Sequence, residues 1–253
     1  MKLSFITPIA YDFKYAKHAI RSYYDIADEI ILGLDQALIS WSGKKFELDV
    51  FGDLGRFVRD EDPQRKIKVS MGNFHEFEEP LANETAERNL LSRFATGDWI
   101  VSIDSDEILV NPKEFRDWLE ILPPEACRYQ LSARLMTVFK TFPGDIALLP
   151  TPPYEAALVA TQCRGAYFKA RMTEQARMQS PLSILHYGWG RTREELVEKL
   201  KHWGHSKDHD WEEYLEFWDS ITLDNYKETH DFHPLRPLLW NGLEARAGIK
   251  EIT

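Results

Sequence analysis

The chain has 253 residues, 43% of them hydrophobic and 28% charged, enough to bury a large core as one α/β domain or as a domain with a substantial appendage. No apolar run approaches the roughly 20 residues needed to cross a bilayer, so no transmembrane segment is expected and the chain should be soluble. A formal net charge of −10 opposes attraction to phosphate backbones, which makes nucleic acid an unexpected partner.

Met1 to Pro8 carries a short apolar run with no small-residue cleavage site behind it, so it reads as a first strand and not as a signal peptide. An amphipathic stretch from Tyr11 to Tyr24 and a second apolar run, Glu29 to Leu34, complete a β-α-β unit. In the charged region that follows, Arg56, Arg59, Arg65, Lys66 and Lys68 are interleaved with Asp53, Asp60, Glu61 and Asp62, the composition of a solvated face. Ile67 to Met71 is a third strand. A helix is predicted over about 83–96, with Asn83 as its cap, Leu90, Leu91 and Phe94 at helical spacing, and Gly97 at the stop. Trp99 to Ile103 is a fourth strand. Near-continuous apolar strands alternating with helices predict an α/β fold whose mostly parallel sheet is covered on both faces.

After Asn111-Pro112 the pattern changes. A short helix from Lys113 to Leu122 precedes Pro123-Pro124, and alternating segments at 128–139 and 156–170 are predicted to run antiparallel, with loops between them. From Arg191 onward the chain reads as helical and aromatic, so Gly188 to Gly190 is the expected seam between a domain of residues 1–190 and a helical extension of residues 191–253. Cys127 and Cys163 are far apart without metal-ligand spacing, which suits a reducing compartment, the cytoplasm by default.

Asp104-Ser105-Asp106-Glu107 follows the fourth strand directly, so its carboxylates fall at the C-terminal edge of the sheet, where open α/β sheets bind ligands. Asp104 and Asp106 point to the same side across one small residue, an arrangement that suits Mg²⁺ or Mn²⁺ with phosphate oxygens and waters as further ligands.

The run from Glu84 to Glu107 closely resembles the pattern of glycosyltransferase family 2 and its relatives: an Ala-Arg-Asn helix, a Gly-acid-aromatic turn, and an apolar strand ending in Asp-x-Asp-Glu. Glu87 departs from it, standing where the family has alanine before Arg88-Asn89. The resemblance extends to Phe5-Ile6-Thr7-Pro8 and to Asp28 through Asp35, about the first 110 residues. It implies the GT-A fold, a nucleotide-sugar donor, Thr7, Pro8 and Asp35 lining the nucleoside pocket with Asp35 accepting from the base, and Arg88 near the diphosphate. Asp104 and Ser105 join the donor-binding set.

Ser183 to Gly190 is a short strand ending in His186-Tyr187, followed by glycines and aromatics. Members of the family often carry a His-Tyr pair there, ahead of a helix with a basic residue, so His186 is the expected third metal ligand beside Asp104 and Asp106. Imidazole favours Mn²⁺ over Mg²⁺. Lys199, Lys201 and Arg191 are candidates for stabilising the departing diphosphate. An inverting transfer also needs a carboxylate base; Glu174 ranks first and Glu155 second. His202, His205, His209, His230 and His233 lack clean ligand spacing. The Gln-x-x-Arg-Trp of processive members is absent, which argues for single sugar transfer to a glycan or other hydroxyl acceptor. The alternatives are a nucleotidyltransferase, though no Gly-rich basic loop follows the first strand, and a non-catalytic carbohydrate-binding module. Loss of turnover in Asp106→Ala, with folding intact, is the expected result for a catalytic Asp106.

Overall fold

The computed structural model describes residues 1–152, 154–203 and 211–252. Along the first half lie β1 (Leu3–Ile9), α1 (Phe13–Tyr23), β2 (Glu29–Asp35), α2 (Gly55–Glu61), β3 (Ile67–Gly72), α3 (Pro80–Phe94), β4 (Trp99–Ser102), β5 (Glu107–Leu109) and α4 (Pro112–Glu120). The second half contains β6 (Tyr129–Thr137), β7 (Lys140–Phe142), β8 (Ile146–Thr151), β9 (Glu155–Thr161), β10 (Ala176–His186), α5 (Arg193–His202), α6 (Trp211–Ser220) and β11 (Gly242–Ala247).

Eight strands form one sheet in the order β3-β2-β1-β4-β9-β6-β10-β5. The four on the β3 side are all parallel, joined by right-sized helical crossovers, whereas β9 runs antiparallel to both β4 and β6. The antiparallel pairing of 128–139 with the start of 156–170 is therefore present, as β6 with β9; residues 162–170 are not strand.

Period-two alternation explains why the strands are apolar on both sides. Leu3, Phe5, Ile30, Leu32, Trp99 and Val101 face one core, shared with Ala16, Ile20 and Tyr23 of α1 and with Phe115 of α4. Ile6, Ile31 and Ile100, the intervening residues, face the opposite core with Leu91 of α3. Helices thus cover both faces in an α/β, Rossmann-like arrangement.

α3 starts at Pro80, three residues before the expected cap, because proline suits a first helical turn whose N–H groups have no partner anyway. Asn83 lies inside that turn, donating to Trp41 O and Phe77 O at 2.9 Å each and accepting from Phe77 N at 2.8 Å. The chain leaves the helix at Ala95 and passes so close to β1 at Gly97 that a Cβ there would meet Ser4 N at 2.7 Å.

Beyond Gly190 come α5 and α6, and then the chain returns as β11 to pair with β8 in a second sheet ordered β11-β8-β7. Trp189, Tyr214, Trp218, Phe232 and Trp240 pack with Phe139 and Leu148 in one core, so most of the aromatic tail is used in packing. No helix among the described residues is long and apolar enough to cross a membrane. Both cysteines are free, Cys127 exposed and Cys163 partly buried.

Candidate active site at the carboxyl edge of the sheet

β1 is flanked by β2 on one side and β4 on the other, so successive crossovers leave in opposite directions and a crevice opens beyond the strand ends. A cavity of about 220 Å³ fills it. Its apolar end is made by Ile39, Trp41, Phe46, Phe74 and Leu81; its charged end holds Asp12, Asp104, Asp106, His186 and Lys199.

Asp106 is the centre of the charged end. Its side chain is 8% exposed, and Oδ2 accepts from Arg191 at 2.6 Å and from Lys199 Nζ at 2.8 Å. Arg191 also reaches Asp12 Oδ2 at 2.9 Å, and Asp12 Oδ1 accepts from Ser105 Oγ at 2.8 Å. Burial by itself would raise the Asp106 pKa, but Lys199, then His186 and Arg191, hold it well below the usual carboxylate range. α5, which presents Lys199, is held at its start by a capping box between Thr192 and Glu195.

Strand register brings His186 to the same place, because β10 pairs with β5 so that His186 stands opposite Glu107, and Tyr187 N donates to Asp106 O at 2.9 Å. His186 Nε2 lies 3.5 Å from Asp106 Oδ1, and a Cβ at Gly188 would meet the imidazole Cε1 at 2.8 Å, so a larger residue there would displace the ring.

Asp104 belongs to a second group of ions. Arg88, fully buried on α3, donates to Asp104 Oδ1, to Ser102 Oγ at 2.7 Å and to Glu84 at 3.0 Å. Arg171 lies 3.6 Å from Asp104 Oδ2 and forms a two-pronged pair with Glu107 at 2.7 and 2.8 Å. Here too burial works to raise the Asp104 pKa and is outweighed by Arg171 and Arg88.

Asp106 and His186 are thus brought together, while Asp104 faces Arg88 and Arg171. Among the described residues no group of three His, Cys, Asp or Glu side chains converges as a ready metal cage. The donor types present nevertheless suit a divalent ion: among the described residues no Lys or Arg pairs with Asp106 Oδ1, and the His186 imidazole stands beside it. Two neighbouring ligands at roughly 2.1–2.2 Å from one octahedral ion stand about 3.0–3.1 Å apart, so the 3.5 Å between Oδ1 and Nε2 would close by about half an ångström around Mn²⁺ or Mg²⁺.

The nucleoside-pocket residues divide. Pro8 lines the cavity, but the Thr7 hydroxyl is fully buried against Tyr23 Oη at 2.8 Å and does not. Asp35 lines the cavity with no acceptor to spare. Its Oδ1 accepts from Ala37 N at 2.8 Å and Ile39 N at 3.1 Å, and its Oδ2 from Phe74 N at 2.8 Å and His75 Nδ1 at 2.7 Å. A carboxylate has about four lone-pair sites, so Asp35 organises the loops that carry Ile39 and Phe74 and has none left for a base. Burial opposes its ionisation, and these bonds, Phe74 N foremost, still lower its pKa.

Glu174 is not brought into the site. Thr173 N and Oγ1 both donate to Gln130 Oε1, at 2.9 and 3.1 Å, and the segment so held turns Arg171 inward and leaves Glu174 in solvent. Glu155 accepts from Trp240 Nε1 at 3.0 Å, outside the cavity. His205 and His209 lie outside the described residues; His230 and His233 bond to backbone groups. His202 bonds Ser40 Oγ at 3.0 Å and Glu198 at 2.8 Å, tying the end of α5 to the loop after β2.

Sequence reasoning missed Asp12, Arg171 and Trp41, and it named Glu107 and Glu87 only as members of the motif. Asp12 follows the first-strand motif and could have been found there. Arg171 and Trp41 sit in loops without periodicity, and nothing local marks them.

No family model matches the chain, and no curated protein matches it. Among solved structures, TarS of S. aureus matches at 20% identity and a TM-score of 0.34, over 57% of this chain and 22% of TarS. A TarS 1-349 structure in complex with UDP-GlcNAc matches equally, over 36% of that chain, so this chain spans well under half of the TarS chains it resembles. A nucleotidyl transferase from Methanothermobacter thermautotroptrophicus matches at 11% identity and a TM-score of 0.35, over 63% of this chain and 71% of that one. Similarity at this level is coarse, and what the site can do follows from its own geometry.

Proposed function

We propose that the chain is a glycosyltransferase of the GT-A kind, which takes a nucleotide-diphosphate sugar and moves one sugar, with inversion, to an acceptor hydroxyl. The observation that carries this is the cavity at the switch point of the sheet, whose lining joins aromatic residues suited to stacking a nucleoside base to an ion cluster suited to a diphosphate. The resemblance of residues 84–107 to family 2 points the same way. Lys199 faces the leaving group and offsets its charge as the sugar bond breaks, with Arg191 buried behind Asp106.

Charge balance argues for a divalent cation, Mn²⁺ or Mg²⁺. Asp12, Glu84, Asp104, Asp106 and Glu107 are five carboxylates against the four cations Arg88, Arg171, Arg191 and Lys199. A diphosphate adds at least two negative charges to a cluster already short of one positive charge. Asp106 Oδ1 and His186 Nε2 would hold the ion together with phosphate oxygens, Asp104 turning in as a third ligand; the ion would supply Lewis-acid stabilisation of the leaving diphosphate. Free cysteines suit a cytoplasmic setting.

The test is a panel of nucleotide-diphosphate sugars with and without Mn²⁺, read by thermal shift and by the phosphate product released. Metal-dependent stabilisation and release of a nucleoside diphosphate are expected. Formation of a nucleoside triphosphate and a sugar 1-phosphate on addition of pyrophosphate would mean nucleotidyl transfer instead, and the absence of any stabilisation across the panel would remove the donor site.

A further inference from the structure

Glu87 stands on α3 where family 2 has alanine, is 3% exposed, and lines the cavity. Its Oε2 accepts from Trp41 Nε1 at 2.6 Å, while its buried Oε1 has no hydrogen-bond partner. Gly33 makes room for it, since a Cβ there would meet Glu87 Oε1 at 2.3 Å. A carboxyl is thus set deep between α3 and β2 with one bond, and that bond goes to a ring of the apolar end.

Trp41 is otherwise lightly held. Asn83 donates to its carbonyl at 2.9 Å, the Arg88 guanidinium lies 5.7 Å from its ring centre, and Glu87 is the partner of its indole N–H. Burial lifts the Glu87 pKa to about 8; the Trp41 N–H and Arg88 pull it down, and Asp35 and Glu84 push it up. At neutral pH the side chain is therefore the uncharged acid, which tolerates burial with an unused oxygen far better than a carboxylate would.

We propose that Glu87 is a positioning residue for the donor: through its bond to the indole of Trp41 it holds that ring as a wall of the nucleoside end, and so sets nucleotide affinity without touching the diphosphate end. The proposal rests on the donor reading above. A purely packing role for Glu87 would predict that any apolar residue of similar size serves as well. A positioning role predicts that the hydrogen bond and the lack of charge both matter.

The experiment uses Glu87→Gln, Glu87→Leu and Trp41→Phe in the full chain, with uridine and guanosine diphosphates as probes. The Trp41 signal is the emission difference between a protein and its Trp41→Phe counterpart. In the wild type this signal should change with a midpoint near pH 8, where the carboxyl ionises, and in Glu87→Gln it should be flat. Affinity for the bound nucleotide should change through that pH in the wild type, as the Trp41 bond becomes charge-assisted, and not in Glu87→Gln. Glu87→Leu should weaken binding roughly tenfold, the size of one lost buried hydrogen bond, with KM raised and kcat kept. Glu87→Leu and Trp41→Phe should not be additive. A wild type that binds neither nucleotide overturns the donor reading. A wild type that binds, with Glu87→Leu binding equally well or with no pH response of Trp41, overturns the role of Glu87 alone.

Discussion

Lys199 Nζ lies 2.8 Å from Asp106 Oδ2 across 93 residues of sequence. Asp106 belongs to the turn between β4 and β5, Lys199 to the helix that follows the glycines at 188 and 190, so the segment beyond Gly190 completes the charged end of the cavity. Arg191 does the same from the first residue past those glycines.

Replacing Lys199 by Met should cost roughly 3–4 kcal/mol of stability, the lower part of the range for breaking a buried pair, since Arg191 still faces Asp106. Nucleotide affinity should fall along with it, because the cluster then holds one cation fewer. Urea unfolding and calorimetric titration with a nucleoside diphosphate measure the two effects.

Asp106→Ala should lose turnover, and stability should fall with it. Removing the carboxylate leaves Lys199 and Arg191 buried beside Asp12 alone, which should cost about 3–5 kcal/mol. A double variant, Asp106→Asn with Lys199→Met, removes one charge of each sign; it should recover most of that stability and none of the turnover. Recovery of turnover in the double variant would remove Asp106 from the chemistry.

Gly33→Ala places a methyl 2.3 Å from Glu87 Oε1 and 2.8 Å from Leu91 Cδ1. Both neighbours sit in a packed layer, so overpacking of about 1–3 kcal/mol is expected, visible as a lowered melting temperature. In the Glu87→Ala background the same change should cost less, because the nearer clash is gone.

Stability should depend on pH through Glu87. An unfolded glutamate titrates near 4.3, whereas in the folded chain this carboxyl holds its proton to about 8. Between the two the folded state carries the extra proton, so wild-type stability falls as pH rises through that window, by at most about 1.4 kcal/mol per unit. Glu87→Gln cannot ionise. Its advantage over the wild type should grow from about pH 5 to pH 8 and stay constant above; a constant difference across that range would show that the carboxyl ionises normally.

The strands of the parallel half were legible because two-sided burial leaves unbroken apolar runs such as Glu29 to Leu34, and Asp104-Ser105-Asp106 was legible because it follows such a run directly. The start of α3 was misplaced because Asn83 is a good cap by type, while Pro80 gives the earlier start and the Asn83 amide is used to bridge Phe77 and Trp41. Asp35 was found as a site residue by its place at the end of β2, but its occupancy by four donors could not be read locally, since two of them, Phe74 and His75, come from the loop after β3.

From sequence alone came the α/β class, the acidic turn at the sheet edge and the strand that ends in His186, since each is written in the periodicity or spacing of a short stretch. Tertiary structure alone decided which charges neutralise which: that Asp106 is held by Lys199 and Arg191, that Asp104 is held by Arg88 and Arg171, and that Glu87 is bonded to Trp41. Those pairings join positions 16 to 93 residues apart, and an ion pair depends on distance through space and on burial, neither of which short-range pattern records.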